Sequence, residues 1–425
     1  MNPQAISTKK QLAARISATL LVGIGAGCSG LLLVLLLHFI QHLAYGYGNT
    51  LHPENFLQGV THASGARRFT ALVFCALFAG IGWWAIYRFG KPLVSIQDAI
   101  KSKKPDMPKG TTVLHALLQI ITVGLGSPLG REVAPREMGA VFACFIAEKW
   151  GLSLKDTRIL VACGAGAGLA AVYNVPLGGT FFILEVLLST LEWPAIFSAL
   201  CTCALATVIS WIGLGNESQY QLTHYTLDAS IVVWSILVSP VFGIFAYYFR
   251  EITDEARKNA PRNGQVLVLC FLNFLFIGLL ALYFPALLGN GKGPIELGFS
   301  DNLGIDLATT LIILRVLIVW SSLRAGAHGG LLTPSLANGV LLAIILGSLW
   351  NTFWPGTHTG AFAVVGAAAF LAAAQKMPLT AIVLTAEFTN IDFNFLVPVL
   401  FAVLGATATA SLFEKYRQET LNYVV

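Results

Sequence analysis

Long apolar stretches recur along the whole chain, and they restrict it to folds that a membrane surrounds. A helix crosses the hydrocarbon core of a bilayer with about 20 apolar residues, and several stretches reach that length. Only 11% of the 425 residues are charged, against about 25% in soluble domains. The stretches are Leu20–Ile40, Phe69–Tyr87, Ala195–Leu214, Ser230–Phe249, Val266–Leu288, Leu307–Trp320 and Phe395–Leu412.

The apolar stretches are continuous but differ in length and regularity. Because none alternates with period two, a transmembrane β-barrel is excluded. Some are short, are broken by Gly and Pro, or contain a charge such as Arg315. Irregular backbone at membrane depth is tolerated only where protein or a water-filled cavity surrounds it. We therefore predict an all-α, polytopic membrane protein with discontinuous and re-entrant helices.

The chain contains one pattern twice, about 200 residues apart. The recurring positions are Gly164, Leu169–Ala171, Pro176–Leu177 and Glu185, which return as Gly366, Leu371–Ala373, Pro378–Leu379 and Glu387; further pairs are Gly130 and Gly329, Pro135 and Pro334, and Gly90–Lys91 and Gly291–Lys292. Repeats in transporters are often inverted across the membrane, with a site at the midplane. We predict two inverted structural repeats, residues 1–220 and 225–425, without a separate soluble domain.

Basic residues cluster beside the apolar stretches. Lys9, Lys10 and Arg15 precede the first stretch, and other clusters lie at 101–109, 257–262 and 415–417. Such clusters remain in the cytoplasm, so we predict a multi-pass protein of the inner (plasma) membrane with cytoplasmic termini. The first stretch is too long for a signal peptide. The net charge of +5 then reflects orientation, and we expect no nucleic acid partner.

The cysteines and histidines do not form a recognisable metal or catalytic pattern. Seven cysteines lie in or beside apolar stretches without metal-site spacing. His38 and His42 are four residues apart, but no glutamate lies between them as in a zinc metalloprotease motif. We found no nucleophile–base pair at membrane depth. We therefore expect a protein that is not an enzyme and that binds no metal or cofactor.

The segment 126–137 places four charges and two prolines directly after an apolar run. Pro135 suits the first turn of a helix, and the preceding glycines permit tight turns. The free N–H groups at the positive end of a helix attract anions. Glu132 would lie at this end, where its carboxylate competes with an anion and its protonation releases the side chain. Such a residue is both a gate and a proton-coupling device.

Two simpler interpretations of Glu132 exist. Its charge could only stabilise the N-terminal end of a helix, or it could pair with Arg131. Ionisable residues inside membrane segments are costly to desolvate and are functional by default, which favours the gating role.

Several segments together resemble the CLC family of anion channels and antiporters. Gly130–Pro135 resembles that family's Gly-Arg-Glu-Gly-Pro signature, with Val133 and Ala134 where the family has Gly-Pro. The segment 327–334 is similar to its second signature, Gly-Gly-Ile/Val-Phe-x-Pro, and the resemblance covers about residues 15–420. It implies a homodimer in the bilayer with one anion pathway per subunit, and Glu132 as the external gating glutamate. The implied anion-binding residues are Gly130, Arg131, Val133, Ala134, Leu93, Leu331, Leu332, Thr333 and Tyr416.

Differences between this sequence and the family's chloride-transporting members suggest which branch of the family the chain resembles. The serine that holds the central chloride in those members has no counterpart in Lys91–Val94, and Ser95 falls four residues later. The inner glutamate of many exchangers is replaced by Val186, and Thr333 precedes Pro334. These features, with Val133-Ala134, resemble the fluoride/proton antiporter branch, which commonly has Met near Leu93.

The leading prediction is therefore a fluoride/proton antiporter that exports fluoride as protons enter. Fluoride is strongly hydrated and needs dense hydrogen-bond donors, such as helix-end N–H groups and the Thr333 hydroxyl, unless Thr333 instead caps a helix. The alternative is a chloride transporter of the same fold, either a proton exchanger or a passive channel.

Three further segments have weaker assignments. Tyr416 lies where the family places a central tyrosine, although it could be a plain interfacial aromatic residue; Tyr423 is a second candidate. We expect 289–294 to be a structural turn. Glu387 is predicted to be a packed or paired acid rather than a proton carrier.

Overall fold

The computed structural model describes residues 3–48, 55–222, 225–301 and 303–424, and the regular secondary structure of this part is helical apart from one isolated β-bridge. The helices are α1 Pro3–Tyr45, α2 Phe56–His62, α3 Gly65–Phe89, α4 Ile96–Lys101, α5 Lys109–Gly124, α6 Val133–Trp150, α7 Leu154–Tyr173, α8 Pro176–Phe181, α9 Trp193–Leu214, α10 Ala229–Lys258, α11 Gln265–Tyr283, α12 Lys292–Phe299, α13 Ile305–Arg324, α14 Leu332–Trp350, α15 Thr359–Gln375, α16 Pro378–Thr389 and α17 Leu396–Val424. The predicted all-α class is confirmed.

Three short segments are wound differently from the α-helices. Phe182–Leu188 continues α8 as a π-helix, whereas Pro285–Leu287 and Phe393–Phe395 are 3₁₀ turns. The π-helix contains Glu185, and such widened turns occur frequently at functional sites. Glu387, its sequence counterpart, lies in the regular helix α16.

Eight helices in the described part are long and apolar enough to cross a membrane, so the chain is a multi-pass membrane protein. Seven of them bury between 33% and 44% of their most apolar window, whereas α14 buries 78%. The seven therefore leave apolar faces for lipid, and protein surrounds α14. The shorter helices α4, α8 and α12 fit the predicted discontinuous segments.

The chain divides into two compact units. The first unit comprises Met1–Leu37, Ala85–Ile120 and Glu132–Gln219, and the second comprises His38–Trp84, Ile121–Arg131 and Tyr220–Val425. The units therefore do not follow the two sequence halves one to one. The division into repeats 1–220 and 225–425 stays a prediction.

Each unit contains a pair of helices packed at glycines. In the first unit, a Cβ on Gly139 of α6 would lie 2.0 Å from the carbonyl oxygen of Gly164 on α7. In the second unit, a Cβ on Gly339 of α14 would lie 2.4 Å from the carbonyl oxygen of Gly366 on α15. Real Cβ atoms do not approach so closely, so both helix pairs require glycine at the contact.

The helices α5 and α13 end in the same type of turn, at positions 200 residues apart in the sequence. The N–H of Gly126 donates to Val123 O at 3.1 Å and that of Ser127 to Thr122 O at 2.9 Å. After α13, the N–H of Gly326 donates to Leu323 O at 3.1 Å, and the N–H of Ala327 donates to Ser322 O at 3.0 Å. This is a Schellman ending, which favours glycine because the residue after the helix has a positive φ.

Candidate functional site

Helix α6 begins at Val133, shortly after Gly130 of the first signature. Glu132 occupies the N-cap position with only 1% of its surface exposed, and its side chain makes no capping hydrogen bond. Val133 and Ala134 follow in the first turn, and Pro135, which has no N–H, comes third. The helix itself offers no acceptor to the N–H groups of its first residues. This end of α6 therefore combines a buried carboxyl group with donors that suit an anion.

Helix α14 begins in the same way in the second unit. Leu331 is the N-cap, and Leu332, Thr333 and Pro334 are the first three helical residues. Leu331, Leu332 and Thr333 are 6%, 4% and 1% exposed. Because Leu331 holds the N-cap position, the alternative that Thr333 caps the helix is wrong. Thr333 instead places a buried hydroxyl within the first turn.

The two signature loops pair through their backbones within the second unit. The N–H of Gly130 donates to Gly330 O at 2.7 Å, and the N–H of Gly330 donates to Gly130 O at 2.8 Å. A Cβ on Gly329 would lie 2.5 Å from the Cβ of Leu129. Gly329 is thus needed for this close approach. Arg131, which follows Gly130 in the first signature, is 8% exposed.

Arg315 of α13 connects three loop carbonyl groups in the second unit. Its guanidinium is fully buried and lies 3.4 Å from the carbonyl oxygens of Pro128, Leu287 and Gly289. A guanidinium remains charged in proteins, so Arg315 holds a fixed positive charge beside the first signature loop. From the sequence alone, Arg315 could be recognised only as a charge inside an apolar stretch, and its hydrogen-bond partners could not be predicted.

The predicted turn at 289–294 is found in its first half, whereas its second half already belongs to α12. Gly289 and Gly291 have φ of +73° and +111°, and α12 begins directly afterwards at Lys292. Between the two glycines, the amide nitrogen of Asn290 lies 3.4 Å from the hydroxyl oxygen of Thr333. When that amide donates to the oxygen, the hydroxyl hydrogen of Thr333 points away from Asn290. The turn therefore helps to orient a donor of α14.

The loop before α4 contains Leu93, one of the predicted anion-binding residues, and the hydroxyl of Ser95. Leu93 is half-buried in the loop that precedes this helix. The hydroxyl of Ser95 accepts the N–H of Asp98 at 3.1 Å and donates to the Asp98 carboxylate at 2.7 Å. Ser95 is thus the N-cap of α4. The role of Leu93 stays a prediction.

The tyrosine candidate lies in a different environment from the helix starts. Tyr416 is 77% exposed on α17 and lines a surface groove together with Tyr247 and Arg417. The side chain of Tyr423 lies outside the described residues. The assignment of a tyrosine to the anion stays a prediction.

Buried signature loops, two buried helix starts and eight membrane-length helices are typical of transport proteins built from discontinuous helices. The model of the family described as voltage gated chloride channel matches residues 69–411. The chain belongs to this family, which confirms the CLC resemblance at the family level.

Relatives and solved structures agree with this membership. An H(+)/Cl(-) exchange transporter, ClcA of Cronobacter sakazakii, is 28% identical over 380 residues, which cover 85% of this chain and 80% of the relative. A slow cyanobacterial Cl−/H+ antiporter shares the fold with a TM-score of 0.81 at 21% identity, covering 94% of this chain and 95% of that one. A CLC-type fluoride/proton antiporter shares the fold with a TM-score of 0.67 at 19% identity, and the match covers 93% of this chain and 95% of that one. Identities this low in the two structures show the fold alone.

Proposed function

We propose that the chain is a secondary active transporter that exchanges a small inorganic anion for protons. The burial of the Glu132 carboxyl group at the start of α6 carries this proposal. An ionised carboxylate is stabilised at a helix N-terminus by the helix dipole. Since an anion is stabilised there by the same N–H groups, the two compete for one place.

The exchange follows from this competition. The structure shows a Glu132 side chain that makes no capping hydrogen bond; in the proposed cycle the ionised carboxylate turns onto the N–H groups at the start of α6. A proton from outside neutralises the carboxylate and weakens its hold on those groups, because a neutral acid is a poorer acceptor. An anion then takes its place, and the carboxyl group carries the proton inward. The return of the carboxylate expels the anion.

Chloride is the anion that the comparisons favour. Three relatives that match over 80% or more of the chain are described as H(+)/Cl(-) exchange transporters. The sequence prediction put fluoride first and chloride second; the relatives support the second more strongly. We therefore propose chloride/proton exchange as the principal activity.

Fluoride/proton exchange is the second candidate, and two observations favour it. The buried hydroxyl of Thr333 adds a donor to the N–H groups of α14. The stretch Lys91–Val94 offers no hydroxyl for a central chloride. A small, strongly hydrated anion gains more from dense donors than a large one does.

The setting of the transporter is also a proposal. We place it in the inner membrane as a homodimer with one anion pathway per subunit and with cytoplasmic termini. The family resemblance and the basic clusters beside the apolar stretches support this arrangement.

Liposomes containing the purified protein test the function. A chloride electrode, a fluoride electrode and a pH electrode record the flux of each ion when an outward gradient of either anion is released. We expect protons to enter as the preferred anion leaves, and chloride to be preferred. Preferential fluoride release would establish the second candidate. Anion release without proton entry, with the potential clamped by valinomycin and potassium, would contradict the exchange mechanism.

A further inference from the structure

The first unit contains a buried cluster that the exchange described above does not use. The Glu137 carboxylate oxygen Oε2 on α6 lies 2.7 Å from His115 Nδ1 on α5. Gln119 Nε2, one turn further along α5, lies 3.1 Å from the same oxygen and 3.0 Å from the same nitrogen. The His115 and Glu137 side chains are 5% and 13% exposed. We name these three residues the α5–α6 cluster.

The cluster can hold one proton at either of two atoms without movement of the heavier atoms. With the proton on Nδ1, the imidazole of His115 donates to the ionised carboxylate of Glu137. With the proton on Oε2, the carboxylic acid donates to Nδ1. Before the proton arrives, with the ring hydrogen on Nε2, the Gln119 amide can donate one N–H to each atom; once Nδ1 carries a hydrogen, the amide donates to Oε2 alone. Histidine and glutamate are side chains that accept and release protons in enzymes and pumps.

The cluster lies on the same helix as Glu132. Glu137 follows Glu132 by five residues, which corresponds to about 7.5 Å along the helix axis. A proton that leaves Glu132 needs a further acceptor on its way across the membrane, and water can bridge polar groups that are not in direct contact. The α5–α6 cluster is therefore placed one step beyond the gate.

Other titratable side chains surround this part of the first unit. Arg136 of α6 places its guanidinium 4.3 Å from the ring centre of Phe182. Helix α7, which packs on α6, buries Cys163 and Tyr173. At the exposed end of α5 and α6, Lys109 and Glu148 form an ion pair at 3.3 Å. This pair joins the same two helices as the cluster, but in water.

We propose that the α5–α6 cluster is the second proton-carrying station of the transporter. This proposal rests on the proton exchange proposed above. The O–H bond of protonated Glu132 breaks, and an N–H bond on His115 or an O–H bond on Glu137 forms. One proton moves in each step, and no electrons are transferred. Gln119 is a positioning residue, because it holds both acceptors in place.

Proton and anion fluxes of purified variants in liposomes test this proposal. Glu137→Gln keeps the size of the side chain and a hydrogen bond to His115 but cannot exchange a proton. We expect the proton flux to fall by about 100-fold, the lower end of what a proton-transferring group contributes, while anion flux persists. Glu148→Gln is the matched control, since it breaks the exposed ion pair between the same helices; we expect wild-type fluxes.

Each result bears on the proposal. If the wild-type protein couples protons and Glu137→Gln couples them equally well, the cluster is not a station, and the exchange mechanism stands. If both fluxes of Glu137→Gln fall together, the cluster only holds α5 to α6, and the proposal is wrong. If the wild-type protein moves anions without protons, both proposals fail. Should Glu137→Gln not fold, His115→Gln gives the same readout, with loss of coupling expected and retained coupling contradicting the proposal.

Discussion

The starts of α6 and α14 share a backbone plan but differ in the residue at the N-cap. Each helix follows a signature glycine, each has proline as its third residue, and neither N-cap side chain makes a capping hydrogen bond. The N-cap residue is Glu132 in one case and Leu331 in the other. The backbone thus supplies donors at both helix starts, whereas only one start carries a group that can be protonated. In the proposed mechanism, anion attraction and proton coupling therefore have separate structural origins.

The largest effect is expected from removing the protonatable group. Glu132→Gln keeps the shape of the side chain but fixes it in a neutral form, so we expect proton flux in liposomes to fall by at least about 100-fold while anions still move. In contrast, Leu331→Gln places the same amide at the equivalent position of α14, and we expect it to retain the ratio of anions to protons. A Glu132→Gln variant that still drives protons with an anion gradient would remove Glu132 from the mechanism.

The turns that precede the two helix starts differ in how crowded they are. Gly126 and Gly326 both have positive φ, +112° and +94°. A Cβ on Gly126 would lie 2.6 Å from the Tyr45 hydroxyl, whereas the nearest atom to one on Gly326 is 3.2 Å away. A side chain at position 126 would therefore be strained both by the backbone conformation and by its surroundings.

Alanine substitutions measure this difference. We expect Gly326→Ala to cost about 1–2 kcal/mol of unfolding free energy for its backbone conformation. Gly126→Ala should add the cost of overpacking, about 1–3 kcal/mol. Unfolding in detergent followed by tryptophan fluorescence gives both values. Equal destabilisation by the two substitutions would show that the space around Gly126 relaxes freely.

The hydroxyl of Thr333 has no counterpart at the same position of α6, where Ala134 is the second helical residue. Thr333→Val removes the donor and nearly preserves shape. A hydrogen bond to a charged group contributes about 1.5–3 kcal/mol, so we expect fluoride affinity to weaken by about tenfold or more, with a smaller change for chloride. Calorimetric titration with each anion checks this, and Thr333→Ser should restore fluoride binding. Equal weakening of both anions would exclude Thr333 from selectivity.

The helix starts were predictable because their signals are local. Proline in the first turn and glycine before it act on neighbouring residues only, so the sequence placed Glu132, Val133 and Ala134 at a helix N-terminus. The position of Thr333 was ambiguous between cap and first turn, because a shift of only two residues separates the N-cap Leu331 from Thr333.

The partners of buried charges were not predictable, because they come from distant parts of the chain. Arg315 contacts Pro128, 187 residues away, and Glu137 contacts His115 on another helix. Sequence shows that these residues are polar within apolar surroundings, but only tertiary packing decides which acceptor each one meets. The exposure of Tyr416 on α17 likewise depends on packing rather than on its local motif.

The smallest expected effect comes from a hydrogen bond that both units contain at the ends of α6 and α14. Trp150 donates to the Ser17 hydroxyl at 3.1 Å in the first unit, and Trp350 donates to the Ser230 hydroxyl at 2.9 Å in the second. Ser230 is 3% exposed, whereas Ser17 is half-buried. Loss of the acceptor leaves an indole N–H that water reaches more easily near Ser17. We therefore expect Ser230→Ala to cost about 1 kcal/mol and Ser17→Ala about half as much, measured by unfolding in detergent. A larger loss for Ser17→Ala would mean that burial does not set the strength of this contact.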